Sequence, residues 1–110
     1  MEKIQNAAES GQKMADGMAG QAVTKEKLWE VITAWQGETI YTAKGLPFTY
    51  RVKGGELFAD RKKKSITRAT FEQAYQKIMD DGEHKITGPK SLNCFGAPYV
   101  WAVFKALGVV

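Results

Sequence analysis

The sequence predicts an α+β domain: a helix, a three-stranded antiparallel sheet, then two helices packed on one face of that sheet. Two segments hold a 3.6-residue apolar period between a threonine and a glycine, and a third apolar segment opens near a proline and closes on a glycine. Between the first two, the apolar period drops to two around a Gly-Gly pair.

Residues 1–22 contain Gly11, Gly17 and Gly20 and only a loose apolar pattern of Ile4, Met14 and Met18. Glycine weakens a helix interior, and a short helix without packing is marginal in water. A mobile or weakly helical lead-in is expected over 1–22, followed by one small domain over 23–110. In VTKEKLWEVITAWQG, Thr24 can cap the first free N–H groups, Val23 and Leu28 hold the two positions of a hydrophobic staple, and Gly37 is the stop. Leu28, Val31, Ile32 and Trp35 share one face, so this helix packs inward.

From Glu38 the chain reads ETIYTA, a turn at KGLP, FTYRV, GG and ELFAD, a pattern of three antiparallel strands. Gly54 and Gly55 suit a two-residue turn that needs positive φ at both positions. That turn sets Val52 opposite Leu57 and Tyr50 opposite Ala59, with Phe48 on the same apolar face. Thr49, Arg51, Lys53, Glu56, Phe58 and Asp60 take the wet face.

SITRATFEQAYQKIMDDG repeats the capping logic: Thr67 as N-cap, Ile66 stapled to Phe71, and Gly82 as terminator. Phe71, Ala74, Tyr75, Ile78 and Met79 recur at helical spacing. Residues 83–95, punctuated by Gly88-Pro89, read as a loop with one short turn. GAPYVWAVFKALG has Pro98 in a first helical turn and Gly108 as the stop. Only Lys105 is charged there, so the helix is either buried on most sides or covers a partner with half its surface.

Hydrophobic residues at 44% and charged residues at 25% match a soluble globular domain. No apolar run approaches the ~20 residues of a membrane span, and the N-terminus lacks the apolar block of a signal peptide. The single cysteine, Cys94, cannot form an internal disulfide or a cysteine zinc cage. The expected location is cytoplasmic, with no membrane partner.

Histidine occurs once, at His84, and no carboxylates, thiols or imidazoles show metal-ligand spacing. His84 and Cys94 stand ten residues apart across a loop, with nothing to bring them together as base and nucleophile. KGG and TGPK lack the spacing of a phosphate-cradling loop. No catalytic residue, metal or cofactor is expected, and the chain does not read as an enzyme.

Charge is uneven. Residues 44–68 hold eight basic side chains against two acidic ones, so this stretch carries +6 while the rest of the chain carries −2. Such a segment attracts phosphates or acidic protein surfaces. Arg51 faces Phe58 across the hairpin, with Lys53 at the turn, giving a basic-aromatic surface suited to phosphates or unstacked bases. Arg61, Lys62, Lys63 and Lys64 run off the strand end. Arg68 lies in the first turn of the next helix, whose free N–H groups attract anions. The same lysines would also blunt a sheet edge against aggregation. A second candidate surface is apolar: Trp29, Trp35, Tyr99, Trp101 and Phe104 fit a core by spacing, but Tyr99, Trp101 and Lys105 exposed on one flank would form a protein-binding patch or dimer interface.

KGLPFTYRVKGGELFADRKKKSITR followed by GAPYVWAVFKALG resembles a set of small uncharacterised proteins of Gram-positive bacteria and their mobile elements. These share a GLPFTY-like strand, a hairpin ending in a basic SITR-like helix start, and a Gly-x-x-Tyr-Val-Trp segment. The resemblance covers residues 38–107 and brings no established activity. Residence on mobile elements implies a DNA-associated accessory protein or, equally, a small anti-defence inhibitor such as an anti-CRISPR protein. The expected function is therefore nucleic-acid contact through the hairpin and the basic loop after it, with a protein-binding inhibitor or adaptor as the alternative. The oligomeric state stays open.

Overall fold

The computed structural model describes residues 24–110. The expected lead-in over 1–22, and Val23 as staple partner of Leu28, lie outside the described residues. The elements run α1 (Lys25–Ala34), β1 (Ile40–Tyr41), β2 (Pro47–Phe48), β3 (Tyr50–Lys53), β4 (Glu56–Ala59), β5 (Ile66–Thr67), α2 (Arg68–Met79), α3 (Pro89–Leu92) and α4 (Ala97–Ala106). This is an α+β fold with a three-stranded antiparallel sheet, β3-β4-β5, and helices packed on its apolar side.

The helix starts follow the capping chemistry. The Thr24 side chain accepts the Lys27 N–H, and the Thr67 side chain accepts the Thr70 N–H. Helix α1 buries Leu28, Trp29, Val31 and Ile32. Helix α2 buries Phe71, Ala74 and Tyr75. Its end differs from expectation. Gly82 is not in the left-handed region; the helix stops with Asp80 as C-cap, and His84 takes the positive φ of 59°. The chain can turn there without glycine because the Asp81 carboxylate accepts two N–H groups beyond the helix.

The β3–β4 hairpin has the expected register, Tyr50 opposite Ala59 and Val52 opposite Leu57, with Gly54 and Gly55 at φ of 59° and 76°. The third strand of the sheet is not the ETIYTA segment but β5, which pairs Leu57 with Ile66. Two local effects divert ETIYTA. The Thr42 hydroxyl and carbonyl close a tight loop on Leu46 and Gly45, folding β1 back onto β2 as a separate two-stranded ladder. The free side of β3 is already occupied: the Gly37 N–H donates to the Tyr50 carbonyl, and the Gln36 side chain accepts the Val52 N–H.

Helix α4 lies in the core, against α2, α3, β1 and β2, with its cap residue Gly96 beside β5. Val100, Val103, Phe104 and Leu107 are fully buried, and Phe104 lies edge-on to Phe71 and to Tyr75. Burying one such side chain stabilises a fold by roughly 1.5–3 kcal/mol. Gly96 caps the helix at φ 68°, where a Cβ would lie 2.5 Å from Ile66 Cδ1. Gly96→Ala therefore combines a left-handed backbone with a core clash. It is expected to cost about 2 kcal/mol or more in denaturant unfolding, whereas Gly82→Ala, with nothing within 4 Å of its Cβ, stays within about 0.5 kcal/mol of the parent.

Tyr50 ties the sheet to α1: its buried hydroxyl donates to the Ile32 carbonyl at 2.5 Å. Burial, reinforced by the Glu38 charge, holds its phenol far above the usual tyrosine range. Above about pH 10 an unfolded Tyr50 ionises while the folded one stays neutral, so this group lowers stability as pH rises. Tyr50→Phe is expected to lose about 1 kcal/mol at neutral pH and to show a shallower alkaline decline, read from urea midpoints between about pH 9 and pH 11.

Candidate functional site

Alternation along the hairpin separates its two faces. Leu57 and Ala59 are buried, while Phe58 between them is 44% exposed. Arg51 stands directly across from Phe58, and Lys53 across from Glu56. The turn glycines bring β3 and β4 into this register, so the Arg51–Phe58 pair sits on a ladder whose other side is anchored in the core.

The eight nominated residues divide into two groups. Arg51, Lys53, Lys63 and Lys64 are exposed and make no hydrogen bond or ion pair among the described residues. Together with Phe58 they line the outer hairpin and the loop joining β4 to β5. The other three are committed elsewhere. Arg61 Nε donates to the Pro47 carbonyl at 2.5 Å, toward β2. Lys62 Nζ lies 4.0 Å from the centroid of the Phe95 ring, toward the α3–α4 junction. Arg68 Nε pairs with Glu72 at 2.7 Å, and its guanidinium lies 6.0 Å from the Trp29 ring centroid.

The expected meeting of all eight side chains at one spot does not hold for Arg61, Lys62 and Arg68, whose head groups are engaged elsewhere; Arg51 and Phe58 face each other across the hairpin, with Lys53 toward its turn and Lys63 and Lys64 in the loop after it. The helix start is also less available than expected, because the Arg68 N–H goes to the Gly55 carbonyl and the Thr70 N–H to the Thr67 hydroxyl. The two acidic groups of the stretch are held locally: Glu56 accepts the Ser65 hydroxyl, and Asp60 accepts the Thr49 N–H at 3.2 Å.

The aromatic flank is corrected too. Trp101 is 8% exposed, inside the core, and Tyr99 is half-buried with its ring edge-on to Phe48 at 5.0 Å. Only Lys105 of the three is exposed. Helix α4 has its neighbours within the domain, so its aromatic residues are core.

A cleft of about 630 Å³ lies beside that helix, lined by Lys44 and Leu46 of the β1–β2 turn, Pro89 and Lys90 of α3, and Pro98 and Tyr99 of α4. Of these, only Tyr99 stands among the nominated residues. The signal for the rest was the presence of apolar or proline residues beside turn glycines in KGLP, TGPK and GAP, a pattern that says "turn" in sequence and becomes one concave wall only in three dimensions. The wall is braced. The Ser91 hydroxyl accepts the Thr87 and Gly88 N–H groups and donates to the Gly88 carbonyl, while Lys77 Nζ donates to the Leu92 carbonyl at 2.7 Å.

Cys94 is half-buried; burial pushes its thiol above the usual value and disfavours the thiolate, while the Lys77 charge acts in the opposite direction. Among the described residues no group of three or more histidine, cysteine, aspartate or glutamate side chains could hold a metal ion, and no helix is long and apolar enough to cross a membrane. No protein-family model, curated protein or solved structure matches the chain.

The loop leading to the cleft is held by Asp81, whose carboxylate accepts the Ile86 N–H at 2.6 Å and the Lys85 N–H at 2.8 Å. These two bonds, Ile86 first, hold its pKa below the usual carboxylate value. The stabilisation is present above about pH 4 and is lost as pH falls through the lowered value. Asp81→Asn is expected to flatten the acid dependence of thermal stability and to speed hydrogen exchange at the Ile86 amide.

Proposed function

We propose that this domain is a non-enzymatic module that binds single-stranded nucleic acid through the outer face of its β3–β4 hairpin, acting as a cytoplasmic accessory protein. The observation that carries the reading is Phe58, held 44% exposed beside Arg51. A large ring left in water on a stiff ladder offers a face for an unstacked base, an interaction of about 1–3 kcal/mol per base. The adjacent guanidinium can fork onto a phosphate. Lys53, at one end of the row, and Lys63 and Lys64, in the loop at the other, would track the backbone as point charges. Their lack of acidic partners among the described residues leaves their charge available to a polyanion.

Arg61, Lys62 and Arg68 play a structural part in this reading, because each head group already has a partner. The alternative, an inhibitor or adaptor that binds a protein, needs a surface other than Tyr99, Trp101 and Lys105, since Trp101 is buried. A stoichiometric partner recovered after nuclease treatment would favour that alternative.

Anisotropy titrations of single-stranded DNA and RNA oligonucleotides test the proposal. With about four phosphate contacts, affinity is expected to fall roughly 50-fold between 50 and 200 mM salt. Phe58→Ala is expected to weaken binding about tenfold, and Arg51→Glu with Lys63→Glu to remove it. Lys62→Gln and Arg68→Gln should stay within about threefold of the parent, as residues without phosphate contacts. Absence of binding at low salt, or equal losses from Arg68→Gln and Arg51→Gln, would overturn it.

A further inference from the structure

The geometry points to a second binding site, the cleft between the β1–β2 turn and the starts of α3 and α4, that takes a small carboxylate with a flat apolar body. Its volume of about 630 Å³ lies inside the range of roughly 300–1,000 Å³ typical of small-molecule sites. The walls come from three separate chain segments and include two of the chain's three prolines, Pro89 and Pro98. Proline backbone is stiff, and the Tyr99 ring packs edge-on against Phe48, so these parts of the wall are held in place. Leu46 remains 47% exposed at its edge.

The chemistry of the ligand follows from which polar groups remain unsatisfied. The Thr42 hydroxyl accepts the Leu46 N–H, and the Ser91 hydroxyl is engaged with Thr87 and Gly88. Lys44 and Lys90 keep their ammonium groups free of hydrogen bonds and ion pairs among the described residues, and the lining contains no aspartate or glutamate. A site with apolar walls, two cations and no anion selects an apolar body with a negative head. Carboxylate fits better than phosphate. Three of the N–H groups at the start of α3 that could cradle phosphate oxygens are already taken: those of Thr87 and Gly88 go to the Ser91 hydroxyl, and that of Ser91 goes to the Gly88 carbonyl, which leaves the Lys90 N–H. Two point charges, one amide and the Thr87 hydroxyl remain among the described residues, enough to hold the two oxygens of a carboxylate. The faces of two prolines and a tyrosine favour a planar body.

The site is independent of the hairpin, and Arg51→Glu is expected to leave it unchanged. The test is calorimetric titration of the full chain with 4-phenylbutyrate, its primary amide, and 4-phenylbutylamine. The acid is expected to bind, the amide about tenfold more weakly, and the amine not at all, with each lysine contributing up to about fivefold. Lys44→Glu with Lys90→Glu, both exposed positions, should reverse the preference toward the amine while leaving the melting temperature unchanged. Leu46→Ser should weaken acid and amide alike. Equal binding of acid and amide, binding unaffected by Leu46→Ser, or no binding of the acid would overturn the inference.

Discussion

The rest of the molecule depends on the burial of the last helix. Helix α4 carries one charge in ten residues and has a core neighbour on nearly every side. Phe104 meets Phe71 and Tyr75 of α2, Tyr99 meets Phe48 of β2, and Gly96 lets Ile66 of β5 approach closely. Its buried side chains share one core cluster with the inner faces of the hairpin, the two-stranded ladder, α1 and α2. Both candidate sites are consequences of it. The hairpin can present Phe58 outward because Leu57 and Ala59 are anchored inward, and the cleft exists because α4 begins with a proline and a tyrosine beside two turns.

The hairpin also shows how the fold limits its partners. An open edge on β3 would invite strand addition, but Gly37 and the Gln36 side chain occupy its backbone groups. Binding at this face, as proposed, would therefore fall to side chains. On the proposed reading, the ring and guanidinium on neighbouring strands, with flexible lysines at both ends, would meet an irregular anionic chain. The committed cations serve the fold: Arg61 latches the β4–β5 loop to β2, Lys62 covers the exposed Phe95 ring, and Arg68 bridges toward α1 while pairing within α2.

Local signals in the sequence were legible where the physics is local. Thr24 and Thr67 cap helices because a hydroxyl three residues before a free N–H has few other options, and Gly54-Gly55 sets a register because both residues need positive φ. Signals that depend on competition were not. ETIYTA alternates like a strand of the main sheet, yet Gln36 reaches the β3 edge first. Gly82 stands where a terminator belongs, yet the Asp81 carboxylate makes a different turn cheaper. The run Arg61 to Lys64 is continuous in sequence, but Arg61 turns to the Pro47 carbonyl and Lys62 to the Phe95 ring, so adjacency along the chain did not keep these two head groups with Lys63 and Lys64 in water. The cleft, built from three turns far apart in sequence, left no local pattern to find.

Amide chemical-shift mapping of the isotope-labelled full chain, titrated with a short single-stranded oligonucleotide, tests the central claim most directly. The account predicts shifts confined to β3, β4 and the loop between β4 and β5, centred on Arg51 and Phe58, with the amides around Leu46, Lys90 and Tyr99 unmoved. Shifts centred on the cleft or on α2, or a spectrum that does not change, would contradict it.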